Sequence, residues 1–304
     1  MQVLWQHAAS PIQEFRHPLL DAGNLTCVIK RDDLLQLEFQ AGDQAFCGNK
    51  WRKLKYNLLE ASNQGCTALL TFGGAYSNHI AATASAGKLF GFETIGIIRG
   101  EAVTPLNPTL QFAQECGMEL HYWSRERYRS KAEPDVLAEL QKQYPQAYIL
   151  PEGGSNALAL RGCAELAEEI LVQAPVDYLC VSCGTGGTLA GLVQGLAGRA
   201  VALGFSALKG DFHQNVVREM IVPENWPNWG TVIDYHFGGY AKTPVELLDF
   251  MAEMEAHYDL PLEPIYTAKL LYGVLDMAKK GHFPSGSRIC VVHTGGLQGW
   301  KGKK

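Results

Sequence analysis

The stretch Phe46-Cys47-Gly48-Asn49-Lys50-Trp51-Arg52-Lys53-Leu54 combines a turn signal with the start of a helix. Gly48 permits a sharp turn that a side chain would block. Asn49 is a favourable N-cap residue. Apolar residues then recur at helical spacing, which predicts a helix that begins close to Lys50.

Lys50 therefore lies at the start of a helix, next to the cations Arg52 and Lys53. A positive helix terminus and two fixed cations both disfavour the ammonium form of a lysine. A partly neutral amine is what nucleophilic and Schiff-base chemistry requires. The alternative is that these cations form a solvated face, as most charge runs do.

Composition limits the classes of function. The chain has 304 residues, of which 47% are hydrophobic and 19% charged, and this size suits one large or two medium globular domains. A net charge of -5 gives no basic surface for nucleic acid or an anionic membrane. No uncharged apolar stretch has the length of a membrane span, and residues 1–7 lack the features of a signal peptide. We expect a cytoplasmic protein without nucleic-acid or membrane partners.

The cysteines point to the same compartment. Eight are spread along the chain, and Cys180 and Cys183 form a C-x-x-C pair in a strand-like run. Positions three apart in a strand face opposite sides, and no second pair completes a zinc site. We expect buried structural thiols, a reducing environment and no metal.

The order of apolar runs predicts an α/β protein. Strand patterns alternate with amphipathic helical patterns along most of the chain, which is typical of parallel sheets. Gly153-Gly154 is the expected crossing point between two lobes. The predicted strands cover residues 26–30, 68–72, 94–99, 119–122, 148–150, 178–181, 200–205 and 288–292.

Two loops follow strands and precede helices. In the first, residues 183–188 (CGTGGT), glycines can turn backbone N–H groups inward, which makes a phosphate cradle. Leu189 stands where a dinucleotide-binding loop has its third glycine. In the second, residues 73–79 (GGAYSNH), Ser77 and N–H groups could hold a carboxylate. The alternatives are a packing turn in the first loop and a simple helix cap in the second.

Three further segments near the C-terminus carry polar or aromatic groups, at residues 238–240, 264–267 and 293–296. The last follows a strand, so it belongs at the sheet edge where α/β proteins bind ligands. Tyrosines in such loops are otherwise packing residues with a solvated hydroxyl. Together the pieces call for a ligand with a phosphate, an aldehyde and a ring, and pyridoxal 5'-phosphate has all three.

The ordered series GNKWRKL, GGAYSNH, CGTGGT, EPIYT and HTGG resembles the fold type II (tryptophan synthase β-like) pyridoxal-phosphate enzymes. More narrowly, it resembles the D-cysteine desulfhydrase and 1-aminocyclopropane-1-carboxylate deaminase family from about Arg31 to Gly296. The resemblance implies an α/β fold of two lobes, with parallel sheets, helices on both faces and the cofactor in the cleft. Residues 51–150 would form the smaller lobe, and residues 1–50 and 151–304 the larger one. It also implies a homodimer.

The same resemblance implies a role for each matching residue. Lys50 would be the Schiff-base lysine, and Asn78 would lie by the cofactor's 3-hydroxyl. Thr294 would lie by the pyridine nitrogen, although Thr267 is an alternative. The remaining residues fall into three groups: the phosphate loop Gly184, Thr185, Gly186, Gly187 and Thr188; the substrate-contacting Ser77, Asn78 and His79; and the active-site tyrosines Tyr240 and Tyr266, which with Lys50 and Ser77 form the catalytic set.

Two departures distinguish between the activities of this family. The deaminases carry glutamine and glutamate at the positions of His79 and Thr267. The desulfhydrases carry histidine and threonine there, as this chain does. A threonine hydroxyl does not keep the pyridine nitrogen protonated as a carboxylate does, and this suits an easy elimination. We expect conversion of D-cysteine to pyruvate, hydrogen sulfide and ammonia. Ala241-Lys242-Thr243 fits neither pattern, so the substrate pocket is expected to differ.

Several alternatives remain open. One is a 1-aminocyclopropane-1-carboxylate deaminase that produces 2-oxobutyrate and ammonia. Another is a non-catalytic phosphometabolite binder that uses only the Gly184 loop. A third is a β-replacement synthase or a serine/threonine dehydratase of the same fold. The loop that precedes the asparagine in such synthases usually has a sequence different from that of residues 74–77.

Overall fold

The computed structural model describes residues 8–37, 45–102, 104–221 and 226–297, so residues 1–7, on which the signal-peptide expectation rests, lie outside it. The elements are, in order, β1 (Ile12–Phe15), α1 (Pro18–Ala22), β2 (Thr26–Arg31), α2 (Gly48–Asn63), β3 (Ala68–Gly74), α3 (Asn78–Phe90), β4 (Glu93–Arg99), α4 (Pro108–Glu115), β5 (Glu119–Trp123), α5 (Arg125–Arg129), α6 (Pro134–Gln143), β6 (Ala147–Leu150), α7 (Ala157–Gln173), β7 (Tyr178–Cys183), α8 (Gly187–Leu196), β8 (Val201–Ser206), α9 (His213–Met220), β9 (Trp229–Val232), α10 (Val245–Tyr258), α11 (Thr267–Lys279) and β10 (Arg288–His293).

Six strands form the larger sheet, in the order β1-β2-β10-β7-β8-β9. All neighbouring pairs are parallel except β1 and β2. Each strand predicted from the sequence is present, with ends shifted by at most two residues. The edge strands β1 and β9 were not predicted. Only one residue of β1 and none of β9 is buried. Neither strand therefore has the run of apolar residues from which the other strands were predicted.

The smaller sheet is entirely parallel, in the order β5-β4-β3-β6. Successive residues of β3 pack on opposite faces of the sheet. Leu69 packs in one hydrophobic cluster with Leu54 and Leu58 of α2, whereas Leu70 packs in another with Leu140 of α6. The sheet therefore carries helices on both faces, as expected for the predicted fold class. A short 3-10 turn at Glu152–Gly154 then leads the chain from β6 to α7.

A buried ionic cluster fixes helix α2 against its neighbours. Arg52 donates to the carboxylate of Asp32 at 2.7 and 3.0 Å and pairs with Glu169 of α7 at 3.0 Å. Lys30 pairs with the same glutamate at 2.5 Å. Arg52 and Lys53 are both about 1% exposed, so the alternative of a solvated cationic face is wrong.

The predicted N-cap of α2 is also wrong. The helix begins at Gly48 and Cys47 is its N-cap, without a side-chain capping bond. Asn49 lies in the first turn instead, and its side-chain oxygen accepts a hydrogen bond from the Thr188 hydroxyl at 2.9 Å. The asparagine thus ties the start of α2 to the start of α8.

The cysteines are free, and Cys180 and Cys183 are buried, as expected for structural thiols. Burial raises the pKa of Cys183 to about 12, which keeps it a neutral thiol at physiological pH. In the part of the chain that the structure describes, no helix is both long and apolar enough to cross a membrane.

Candidate active site

A cavity of about 290 Å³ lies where the carboxyl ends of strands from both sheets face each other. Ligands of α/β proteins bind at such edges. The wall includes nearly all the residues singled out from the sequence: Lys50, Ser77, Asn78, His79, Gly184, Thr185, Gly186, Thr188, Tyr240, Tyr266 and Thr294. Gly187 is not part of it. A Cβ at Gly187 would lie 2.6 Å from the Ser155 hydroxyl, so this glycine serves close packing behind the wall.

Lys50 lies in the first turn of α2 and forms no ion pair with another described residue. Its pKa is lowered to about 7, first by burial and then by the Lys53 ammonium. The predicted direction is therefore correct, but the predicted contribution of Arg52 is wrong, because that guanidinium is bound to Asp32. A substantial share of Lys50 is a neutral amine at neutral pH.

Gly48 makes the turn before Lys50 possible. Its φ is +54°, and a Cβ there would lie 2.7 Å from the carbonyl oxygen of Asp32 and 3.1 Å from that of Thr294. The predicted sharp turn is confirmed. The absence of a side chain lets the start of α2 approach the loop that follows β10, which brings Lys50 and Thr294 to one cavity.

The glycine loop after β7 has two features that suit the binding of an anion. Gly186 has a φ of +83° and is the N-cap of α8, so the backbone N–H groups of a helix start face the cavity region. The Lys53 ammonium donates to the Ser155 hydroxyl at 2.8 Å, and that hydroxyl lies 2.6 Å from the Thr185 hydroxyl. Sequence reasoning missed this role of Lys53.

His213 stabilises the same loop by a hydrogen bond. Its Nε2 donates to the carbonyl oxygen of Gly184 at 2.7 Å, and its Nδ1 lies 3.0 Å from the Ser206 hydroxyl. The imidazole is fully buried and lines the cavity. No signal marked His213 in the sequence, because a single histidine in an amphipathic segment resembles an ordinary packing residue.

The loop before α3 contains a cap and an unusual histidine. The Ser77 oxygen accepts the N–H of Ile80, so the predicted helix cap exists, while its own hydrogen remains available to a ligand. Thr71 donates to the carbonyl of Leu150 at 3.2 Å and lies 2.8 Å from Nε2 of His79. We assign the Thr71 hydrogen to the Leu150 carbonyl, which makes Nε2 of His79 the donor and its Nδ1 an acceptor.

This Nδ1 atom has no hydrogen-bond partner among the described residues, although it is buried. Burial and the ammonium groups of Lys50 and Lys53 lower the pKa of His79 well below its usual value. His79 is therefore neutral and offers an acceptor to a donor on a bound molecule.

Tyr240 and Tyr266 form a pair at another side of the cavity, with ring centroids 6.3 Å apart. A Cβ at Gly184 would lie 3.1 Å from the Tyr266 ring, so the glycine lets this ring approach the phosphate loop. Burial raises the pKa of both tyrosines. Both are protonated at neutral pH and can donate a proton. The Tyr240 hydroxyl also donates to the carbonyl of Tyr76 at 3.4 Å, which joins loops from the two sheets.

Glu263 organises the start of α11, where Tyr266 is the N-cap. Its carboxylate accepts the N–H groups of Ile265, Tyr266 and Thr267 at 2.6 to 2.8 Å. The Thr267 hydroxyl accepts the Glu263 N–H at 2.9 Å and donates back to its carbonyl. Thr267 is therefore engaged in the cap and does not line the cavity, whereas Thr294 does.

The arrangement fits the group that the sequence indicates. A cation and a helix start suit a phosphate, a partly neutral lysine amine suits an aldehyde, and tyrosine rings line the same cavity. The acceptor on His79 that no protein donor satisfies is consistent with a polar ligand in this cavity.

Comparisons with known proteins agree with this chemistry. Residues 13–295 match the family model described as "Pyridoxal-phosphate dependent enzyme". A putative 1-aminocyclopropane-1-carboxylate deaminase from Pyrococcus horikoshii is 31% identical over 288 residues, which cover 89% of this chain and 84% of that protein. A bifunctional D-cysteine desulfhydrase/1-aminocyclopropane-1-carboxylate deaminase from Arabidopsis thaliana is 31% identical over 96% of this chain and 77% of its own length.

Among solved structures, that of an ACC deaminase homologue superposes with a TM-score of 0.81 at 28% identity, covering 96% of this chain and 90% of that one. The predicted fold class, two α/β lobes of the fold type II kind, is confirmed.

Proposed function

The chain belongs to the family of pyridoxal-phosphate dependent enzymes, and on that premise we propose that it catalyses an α,β-elimination from a small amino acid. The proposed substrate is D-cysteine, and the products are pyruvate, hydrogen sulfide and ammonia. The observation that carries the proposal is one cavity lined by Lys50, whose pKa is lowered to about 7, and by two tyrosines whose pKa is raised. Such a cavity holds both an acceptor for the α-proton and a donor for the leaving group.

The following residues would hold the cofactor. Residues 184–188 and the Lys53 ammonium would bind the phosphate. Lys50 would bond to the aldehyde carbon. Asn78 would contact the 3-hydroxyl, and Thr294 would contact the pyridine nitrogen. When bound, pyridoxal phosphate supplies an electrophilic carbon and an electron-withdrawing ring. The Thr294 hydroxyl is supported over that of Thr267, whose hydrogen bonds to Glu263 occupy it.

The protein's own groups would act on the substrate as follows. The N–H groups at the start of α3 and the Ser77 hydroxyl would bind the carboxylate, and Nδ1 of His79 would accept a hydrogen bond from the substrate. The Lys50 amine would take the α-proton, because its lowered pKa keeps a substantial share of it neutral. Tyr266 or Tyr240 would protonate the departing sulfur.

The ring-opening of 1-aminocyclopropane-1-carboxylate remains the alternative, since relatives carry that activity in their names. The elimination is favoured over this ring-opening because the Thr294 hydroxyl, which carries no charge, lines the cavity where the pyridine nitrogen is proposed to lie. The non-catalytic phosphometabolite binder is not favoured, because the family consists of enzymes. We further propose that the protein is a cytoplasmic homodimer. The proposed smaller lobe comprises residues 51–150, and the larger lobe comprises residues 1–50 and 151–304.

The test is an activity panel on the loaded protein with D- and L-cysteine, β-chloroalanine, serine and 1-aminocyclopropane-1-carboxylate. Equal amounts of sulfide and pyruvate from D-cysteine would support the proposal. Formation of 2-oxobutyrate from 1-aminocyclopropane-1-carboxylate, without sulfide from either cysteine, would replace it with the deaminase.

A further inference from the structure

Arg99 ends strand β4 and lines the cavity, where it is exposed to solvent. Its Nη2 would lie 3.6 Å from a Cβ at Gly74, which places the guanidinium beside the loop that leads to Ser77. It also lies 5.9 Å from the centroid of the Tyr128 ring. No hydrogen bond or ion pair joins the Arg99 guanidinium to another described residue.

The other charges of the cavity already have uses. In the proposed function Lys50 takes the aldehyde and Lys53 the phosphate, while two helix starts take the phosphate and the α-carboxylate. Among the described residues of the cavity wall the one acid is Glu152, and it pairs with Lys131 at 3.1 Å. Arg99 is thus a surplus cation, and the cofactor and a neutral amino acid leave it without an anion.

The position of Arg99 indicates which part of a substrate it would meet. The Tyr240 hydroxyl reaches the same loop, since it donates to the carbonyl of Tyr76 at 3.4 Å. The charges of Arg99 and Glu152 both act on this hydroxyl, in opposite directions. Tyr240 is one of the two groups that would protonate the leaving group. Arg99 and Tyr240 thus border the same loop, and a β-substituent that meets the Tyr240 hydroxyl would also meet the guanidinium.

We propose that Arg99 binds a negative charge on the β-substituent, so that the enzyme also eliminates from alanines whose β-substituent is an oxyanion, such as O-phosphoserine. This inference rests on the proposed function and extends its substrate class. Guanidinium groups suit this task, since their donors match phosphate and carboxylate oxygens in pairs.

The reaction needs only water as a co-reactant. The Cα–H and Cβ–O bonds break, the α-proton passes to the Lys50 amine, and the electron pair of the Cβ–O bond leaves with the phosphate. The resulting 2-aminoacrylate takes up one water and yields pyruvate and ammonium. Carbon undergoes no net oxidation, and hydrogen phosphate is the third product.

The test compares the parent enzyme, Arg99→Gln and the control Arg125→Gln, an exposed arginine of α5 outside the cavity wall. Pyruvate is measured from both enantiomers of O-phosphoserine and of β-chloroalanine. β-Chloroalanine is the comparison because its side chain carries no charge. Arg99→Gln should lose about 30-fold or more in kcat/KM for O-phosphoserine, as expected for a charged hydrogen bond. It should change by less than about threefold for β-chloroalanine, and Arg125→Gln should match the parent.

A binding measurement adds a second readout. By calorimetry, aspartate should bind the parent more tightly than alanine does, and Arg99→Gln should abolish this difference. An equal loss of kcat/KM for both substrates would overturn the inference, because Arg99 would then hold the α-carboxylate. Turnover of β-chloroalanine but not O-phosphoserine by the parent would overturn it and leave the proposed function intact. If the parent neither binds nor converts any of these amino acids, the proposed function falls as well.

Discussion

The Lys269 ammonium lies 2.8 Å from the carbonyl oxygen of Gly239, the residue before Tyr240, and it donates a second hydrogen bond to the carbonyl of His236 at 2.9 Å. The loop of residues 236–241 is strained on both sides of this contact, since Phe237 and Ala241 have φ angles of +52° and +57°. Lys269 is 2% exposed. A buried cation in α11 therefore fixes the loop that presents Tyr240 to the cavity.

Replacing Lys269 by Met should lower turnover on the order of tenfold to a hundredfold, because a displaced Tyr240 no longer meets the substrate. Cofactor absorbance should persist, since no proposed cofactor contact is lost. The measurement is a double-mutant cycle with Tyr240→Phe, in which the two losses should not add. Lys269→Arg should recover part of the turnover. Additive losses would show that Lys269 acts on stability alone.

Lys50 should be the residue that carries the cofactor. Reduction of the loaded protein with borohydride should remove the visible absorbance and leave the label on one peptide, at Lys50. Lys50→Ala should bind pyridoxal phosphate reversibly and lose elimination, because the proton acceptor is absent. A label found on Lys53 or Lys55, or pyruvate released from D-cysteine by Lys50→Ala at the parent rate, would contradict the assignment.

The capture of pyridoxal phosphate by cofactor-free protein should depend on pH. A lysine must be neutral to attack an aldehyde, and the pKa of Lys50 is about 7, so the rate constant should rise with pH and reach its midpoint near 7. Lys53→Met removes the neighbouring cation that lowers this pKa, so the midpoint should move to higher pH. Lys88→Met, an exposed lysine of α3, is the control. A midpoint that does not move would exclude Lys53 as a cause.

The sequence was sufficient for the elements whose apolar runs are continuous, and for predicting that residues of several glycine-rich loops line one cavity. It was insufficient for Lys53, His213, Glu263 and Lys269. Each is a charged or polar residue within an ordinary helix or loop, and its role arises only from contacts with segments that are distant in sequence, as between Lys269 and Gly239. The same reason explains the error about Arg52, whose partner Asp32 lies on another element.

Thr294 and Thr267 should respond differently to loss of the hydroxyl. Thr294→Val should keep the cofactor absorbance but lower turnover about tenfold, as expected for one lost hydrogen bond to the ring. Thr267→Val should instead weaken the cap that Glu263 makes, and should therefore lower the midpoint of thermal unfolding more than turnover per folded molecule. Normal turnover in Thr294→Val, together with a spectral change in Thr267→Val, would reverse the assignment.

Tyr266 and Tyr240 are both protonated at neutral pH, so either could deliver the proton to the leaving group. Tyr266 has the stronger case, because its ring contacts the position of Gly184 in the phosphate loop, whereas the Tyr240 hydroxyl is directed to the carbonyl of Tyr76. Tyr266→Phe should therefore reduce turnover of D-cysteine on the order of a hundredfold, the usual cost of one acid–base group. Tyr240→Phe should reduce it less and should raise KM, since it releases a contact that closes the cavity. β-Chloroalanine separates the two roles: chloride leaves without a proton, so Tyr266→Phe should spare this substrate. If Tyr266→Phe slows both substrates equally, the residue shapes the cavity and supplies no proton.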